Sequence, residues 1–360
     1  APMLGDESPL ILLERALAAL DDRDSGLRAR VMGRLASGRT IIGDPQGTGL
    51  LARAAIEMAR RVGDRGALAH VLNATPFSVS GPDNLDERLA LAEELIRLAD
   101  EIGDVRLAAE GHAWKACHYL EVGDIAAVDR VTEIQERLAE TARHAYLRWL
   151  AAAHRGALAV LDGRFEEAEK HIGPAGGSPA MEARQGAVPG FVYLLREQQG
   201  LAEELLFWVT SQAVHSPQNL MWRASAAGYR ASLKQGEEVR REFESLAANG
   251  FADVPRDFMW LSTMSWLSDL ASFVGDGRRA AMLYDLLLPY VDRCAVAGTL
   301  FCRGAVSRSL GVLATLLSRY DDAERHFEHA LAMNARIRAR IWVAHTEHDY
   351  ARLLVARDRP

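Results

Sequence analysis

Apolar positions recur along this chain every three or four residues, in stretches long enough for several helical turns, and short runs of Gly, Asp and Pro separate the stretches. Two of these junctions read alike. Met58-Ala59-Arg60-Arg61-Val62-Gly63-Asp64 and Leu98-Ala99-Asp100-Glu101-Ile102-Gly103-Asp104 lie 40 positions apart. In each, an amphipathic helix runs into Gly-Asp and a second helix follows. The Gly supplies a left-handed C-cap that other residues resist, and the Asp side chain caps the next helix. A second marker is a Gly or Ser, then an apolar or Gly position two on, then a small residue three further. It occurs as Gly123, Ile125, Val128, as Gly163, Phe165, Ala168, as Gly275, Gly277, Ala280, and as Ser318, Tyr320, Ala323. The pattern predicts an all-α chain with no sheet.

Three stretches interrupt this rhythm. Asn73 to Asn84 (NATPFSVSGPDN) is turn-rich and reads as a loop, and Asn249 to Asp257 (NGFADVPRD) reads as a turn that ends one unit and caps the next. Gly173 to Gly190 (GPAGGSPAMEARQGAVPG) holds the densest Gly and Pro. It is the expected linker or hinge between N-terminal repeats over 1–172 and C-terminal repeats over 191–360 of one continuous stack.

In the segment Leu310-Gly311 … Tyr320 … Ala323 … Phe327 … Ala330-Leu331, small residues let two helices approach while aromatic rings fill the gap to the next pair. This resembles the tetratricopeptide repeat, which implies an α-solenoid of antiparallel helical hairpins. Spacings of roughly 35 to 43 residues exceed the standard 34, so longer helices and an irregular superhelix are expected. From Leu50 to about Arg357 the chain also resembles the C-terminal helical region of large bacterial ATP-binding LuxR-type transcriptional regulators and ATPase-linked class III adenylate cyclases. The matching stretches are Gly81-Pro82-Asp83 with Leu85 to Leu89, Asn249 to Asp257, Leu286 to Tyr290, Ala323 to Glu328 and His348 to Leu354. The resemblance implies a module that follows a nucleotide-binding domain and serves in sensing or protein contact. The phosphate loop of such a domain has no counterpart here, because Gly43 to Gly49 (GDPQGTG) lacks its Lys.

Composition narrows the picture further. Ala and Leu dominate an apolar fraction of 49%, which favours helix over strand. A net charge of −7 argues against a general nucleic-acid surface. Three cysteines, Cys117, Cys294 and Cys302, without CxxC spacing, fit a reduced cytoplasmic chain. No apolar run approaches the length of a membrane helix. A start at Ala1 rather than Met leads us to expect a processed chain or a piece of a longer protein.

Candidate chemistry follows from the repeat phase. Positions two, five, nine and twelve of each inner helix should face a concave groove. In the C-terminal half these are Arg223 and Arg230, Ser262, Ser265 and Asp269, Arg308, and His345, His348 and Arg352. Several cations in one groove would attract an acidic ligand. The competing reading is arginines whose stems cover apolar surface while their heads stay in water. His326 with His329 and His345 with His348 have i,i+3 spacing, but the two pairs are expected to face different ways, so no metal is assigned. Cys117 reads as a small buried or groove-lining thiol. Trp114, Trp149, Trp222, Trp260, Trp266 and Trp342 read as inter-hairpin filler.

The resulting expectation is a non-catalytic recognition or sensory module of a cytoplasmic regulator. It would bind a peptide, a protein segment or a small acidic ligand in its groove, with no cofactor, no membrane contact and no direct nucleic-acid contact. One alternative is an enzyme with a pocket inside the helical stack, using His112, Cys117 or His345. Another is a dimerisation scaffold, a homo-oligomer whose groove is filled by a second chain.

Overall fold

The computed structural model describes residues 8–42, 47–176, 190–298 and 300–358. Most of the expected hinge (177–189) and most of the Gly43 to Gly49 stretch lie outside the described residues. Among the described residues, nineteen α-helices account for nearly all regular structure. The first ten are α1 (Ser8–Ala19), α2 (Gly26–Ile42), α3 (Thr48–Val62), α4 (Arg65–Ala74), α5 (Pro76–Val79), α6 (Leu85–Ile102), α7 (Val105–Glu121), α8 (Ile125–Ala142), α9 (Ala145–Leu161) and α10 (Phe165–Gly176). After the gap come α11 (Gly190–Gln198), α12 (Ala202–His215), α13 (Leu220–Ser232), α14 (Gly236–Leu246), α15 (Trp260–Val274) and α16 (Gly277–Leu287). A hairpin of β1 (Cys294–Ala297) and β2 (Phe301–Ala305) precedes α17 (Val306–Leu316), α18 (Tyr320–Arg336) and α19 (Arg340–Arg357).

The turn chemistry explains why the helices end where they do. Gly63, Gly103, Gly123, Gly163 and Gly275 all sit at positive φ, and Arg143, Lys234, Ser318 and Arg338 take the same strained conformation without glycine's freedom. Gly123, Arg143 and Gly163 are spaced by 20 residues, one helix plus its turn. After four of the glycines an Asp caps the next helix: Asp64, Asp104, Asp124 and Asp276 each accept from the backbone N–H three residues on, at 2.9–3.0 Å. The small residues of the marker, Ala168, Ala280 and Ala323, are fully buried. At Gly311 a Cβ would stand 2.6 Å from the Phe327 ring, so only glycine lets α17 and α18 approach this closely.

Nearly every helix packs on the next. The even-numbered α2, α4 and α6 also touch in sequence, as do the odd-numbered α13, α15 and α17. The chain then closes on itself. Arg256, in the turn before α15, pairs with Asp83 at 2.9 Å, and Arg338 pairs with Asp129. The C-terminal α19 touches α9, and β1 touches α7. One core cluster draws on Leu120, Val160, Leu195, Phe301 and Trp342 together, so apolar burial is shared across the expected division at 173–190.

Two expectations need correction. A sheet exists: β1 and β2 pair antiparallel, Val296 opposite Cys302 and Ala297 opposite Phe301, with an irregularity near Cys294. Every residue of both strands is buried, so the Ala- and Cys-rich hairpin lacks the alternation that marks a half-exposed strand. The Asn73 to Asn84 stretch is also not all loop. Pro76 starts the short α5, and Asn84 braces the following turn by accepting from Gly81 N–H at 2.9 Å and donating to the Val79 carbonyl at 2.7 Å.

Candidate functional site

The closure leaves a cavity of about 400 Å³ between the N-terminal and C-terminal helices. Helical periodicity assembles its walls. Glu110, Ala113, Trp114 and Cys117 form one stripe of α7, and Tyr146, Trp149 and Leu150 one stripe of α9. Met221, Trp222, Ser225 and Tyr229 do the same on α13. Phe77 from α5, Tyr193 from α11, Trp266 from α15 and Phe301 from β2 complete the enclosure, with Phe258 from the turn before α15. Ten of the chain's 25 aromatic residues therefore line one space. They brace one another: Phe77 meets Trp114 and Phe258 edge-on at 4.8 and 4.7 Å, and Tyr229 meets Trp266 at 5.3 Å.

The walls are mostly carbon and π-face. Burial pushes the Tyr193 hydroxyl up to about 12 and holds Tyr229 well above its ordinary value, so both stay protonated at neutral pH. The indole N–H groups of Trp149 and Trp266 are buried without a hydrogen-bond partner among the described residues. Cys117 donates its thiol hydrogen to the Gly298 carbonyl at 2.6 Å, and burial holds its pKa up at about 12. It is a thiol, not a thiolate, at neutral pH.

The arginine-rich positions have a different setting. Arg308 is buried between Asp269 at 3.1 Å and Asp349 at 2.8 Å. Burial alone would lower its pKa, but the two carboxylates more than offset that. Arg303 of β2, which the repeat phase did not single out, is buried beside it. Its guanidinium pairs with Asp269 at 3.0 Å and with Glu197 at 3.5 Å, and lies 3.4 Å from the centre of the Trp266 ring. Burial drives the Glu197 and Asp349 carboxyls above their ordinary range despite these arginines. Two cations thus face three carboxylates, and the cluster is an internal ion-pair network, not an open basic surface.

The remaining predicted positions disperse. Arg223 donates to Glu242 at 2.6 Å and to Ser245 at 2.9 Å, and Arg230 is half-buried in the last turn of α13. Ser262 and Ser265 are buried, bonded to the Ala295 carbonyl and to Ser309. His345 bonds Gln198 at 3.1 Å, and burial, reinforced by Arg308 and Arg303, lowers it to about 4. His348 and Arg352 line a separate depression with Ser272, Thr315 and Phe327. His326 bonds Tyr284 and His329 pairs with Asp292, so neither turns toward the pair on α19.

The tryptophan reading also needs correction. Trp260, Trp266 and Trp342 are buried, but Trp114, Trp149 and Trp222 are only half-buried and wall the cavity. The available signal was their place on one apolar stripe each of α7, α9 and α13. That spacing looks the same whether a ring fills a gap or borders one.

No helix among the described residues is long and apolar enough to cross a membrane. The sequence matches no family model and has no significant match among curated proteins.

Proposed function

We propose that this chain is a non-catalytic recognition module, a tetratricopeptide-like solenoid curled until its concave face encloses a binding site for an apolar small molecule. The observation that carries the reading is the cavity itself. Its volume falls within the roughly 300–1,000 Å³ of small-molecule sites, and it follows their pattern of apolar walls with few polar groups. The 20-residue spacing of Gly123, Arg143 and Gly163 supports the repeat architecture. The sequence resemblance supports placement in a cytoplasmic bacterial signalling protein, where occupancy of the cavity would be reported to neighbouring domains.

Catalysis finds no support in the residues that would have to perform it. Cys117 is held as a thiol, and no hydrogen bond joins it to His112 or His345 among the described residues. The acidic-ligand version of the reading is replaced by an apolar one, because Arg308 is already neutralised by Asp269 and Asp349.

The test uses N-phenyl-1-naphthylamine, a neutral fluorophore that brightens on entering apolar surroundings. One molecule should bind per chain, with energy transfer from Trp114, Trp149 and Trp222. Ala113→Phe, which pushes a ring into the cavity, should abolish binding while the circular dichroism spectrum is unchanged. Absence of stoichiometric binding to the parent, or binding untouched by Ala113→Phe, would refute the proposal.

A further inference from the structure

The charge of the cavity lining is one-sided. Among the described residues, no Lys, Arg or His lines the space, and one residue that does, Glu110, is a carboxylate. It stands one turn before Trp114 on the same stripe of α7, so its carboxylate and the indole address the same volume. Arg106, one turn earlier, donates to Oε1 of Glu110 at 2.8 Å. No protein group among the described residues donates to Oε2.

The π-faces point the same way. This chain seats guanidinium groups on aromatic rings: Arg303 on Trp266 of the cavity wall and, away from the cavity, Arg256 on Trp260 at 4.4 Å and Arg319 on Tyr284 at 4.3 Å. Among the described residues, Trp114, Trp149, Tyr193 and Trp222 carry no such cation. These four ring faces are negative, as is the Glu110 carboxylate, whose Oε2 accepts from no protein group among the described residues, so together they favour a positive charge between them.

Resting on the cavity reading above, we propose that the occupant is an organic cation with an apolar body, its charge on a methylated, weakly hydrated nitrogen. A primary ammonium would surrender strong hydration for a single carboxylate oxygen. A quaternary nitrogen surrenders little, and the ring faces replace what it loses. An anion would meet the Glu110 carboxylate and the negative faces of Trp114, Trp149, Tyr193 and Trp222. The Arg106–Glu110 pair then tunes the site, since Arg106 competes with the ligand for the carboxylate.

The experiment is a calorimetric titration of the full chain with three compounds of one shape. Benzyltrimethylammonium carries a positive charge, neopentylbenzene is its neutral carbon counterpart, and phenylmethanesulfonate carries a negative charge. The cation should bind about tenfold or more tightly than the neutral compound, as two or three cation–π contacts imply, and the anion should not bind. Glu110→Gln should weaken the cation several-fold and leave the neutral compound unchanged. Arg106→Gln, which frees the carboxylate, should tighten the cation. Glu110 lines the cavity, Arg106 stands one turn before it, and both are partly exposed, so retention of neopentylbenzene binding in each variant confirms an intact site. Equal affinity for cation and neutral compound, or a Glu110→Gln effect on both alike, overturns the cation assignment and leaves the apolar cavity standing. Failure of both compounds to bind overturns the cavity reading and this inference with it.

Discussion

Arg308→Ala is the substitution on which an open basic groove and an internal ion-pair network differ most. In a groove, Arg308 would be a solvated cation whose removal leaves the fold untouched. In the structure it is buried, with Asp269 at 3.1 Å, Asp349 at 2.8 Å, and the Trp342 ring 5.6 Å from its guanidinium. Removing one partner of a buried pair costs about 3–5 kcal/mol, because the stranded carboxylate stays desolvated. Asp269 would keep Arg303 at 3.0 Å, whereas Asp349 would retain only the exposed Arg352, 4.0 Å away. One orphaned carboxylate places the loss at the lower end, about 3 kcal/mol, or roughly a hundredfold in the folding equilibrium. The pH dependence has a definite sign. Burial already raises Asp349 in the folded state, and loss of Arg308 raises it further. The folded variant therefore binds more protons than the unfolded chain, and its deficit against the parent grows as pH rises and shrinks in acid. Urea unfolding followed by circular dichroism at pH 8 and pH 5 measures both effects. Arg308→Ala/Asp349→Ala, which removes the orphan, should be more stable than the single variant at pH 8. Arg352→Ala, at a 63% exposed side chain, should stay within about 0.5 kcal/mol of the parent. A loss below 1 kcal/mol for Arg308→Ala, or a double variant no better than the single one, would refute the network.

Gly228→Ala would place a Cβ 2.2 Å from the Trp266 ring, and the overpacking of about 1–3 kcal/mol outweighs alanine's helical advantage of about 1 kcal/mol. It should lower the melting temperature and weaken N-phenyl-1-naphthylamine binding together, because Trp266 is displaced toward the cavity; loss of neither would mean the ring has room to yield. Burial lowers His154 to about 4 from an ordinary 6.5. Its contribution is therefore complete above pH 6.5 and is lost as pH falls from there toward 4, at up to about 1.4 kcal/mol per pH unit. His154→Gln should flatten the dependence of unfolding free energy on pH across that interval by about one proton, and an unchanged slope would count against a buried neutral imidazole.

At the Gly-Asp junctions the sequence by itself determined where one helix ends and the next begins. A Gly-Asp pair is self-sufficient: Gly63 and Asp64 enforce a left-handed cap and a side-chain cap whatever packs around them, and both act within one turn of chain. The small positions at Gly311 and Ala323 were legible for a related reason, since close approach between consecutive helices involves residues near in sequence, Gly311 and Phe327 being 16 apart. What lies between distant segments was not legible. Glu197, Asp269, Arg303, Arg308 and Asp349 are brought together from five elements, and nothing within any one of them announces whether an arginine meets water or a carboxylate. The buried hairpin was missed because its strands carry no alternation, both faces being covered by packing decided elsewhere. The cavity belongs to the same class. Trp114, Trp149 and Trp222 obey the periodicity of core residues, and only the closure that sets α7, α9 and α13 around a common centre decides that their rings enclose a space. Local caps are short-range and encoded in adjacent residues; enclosure depends on the summed curvature of many packed helices, which no single stretch of sequence carries.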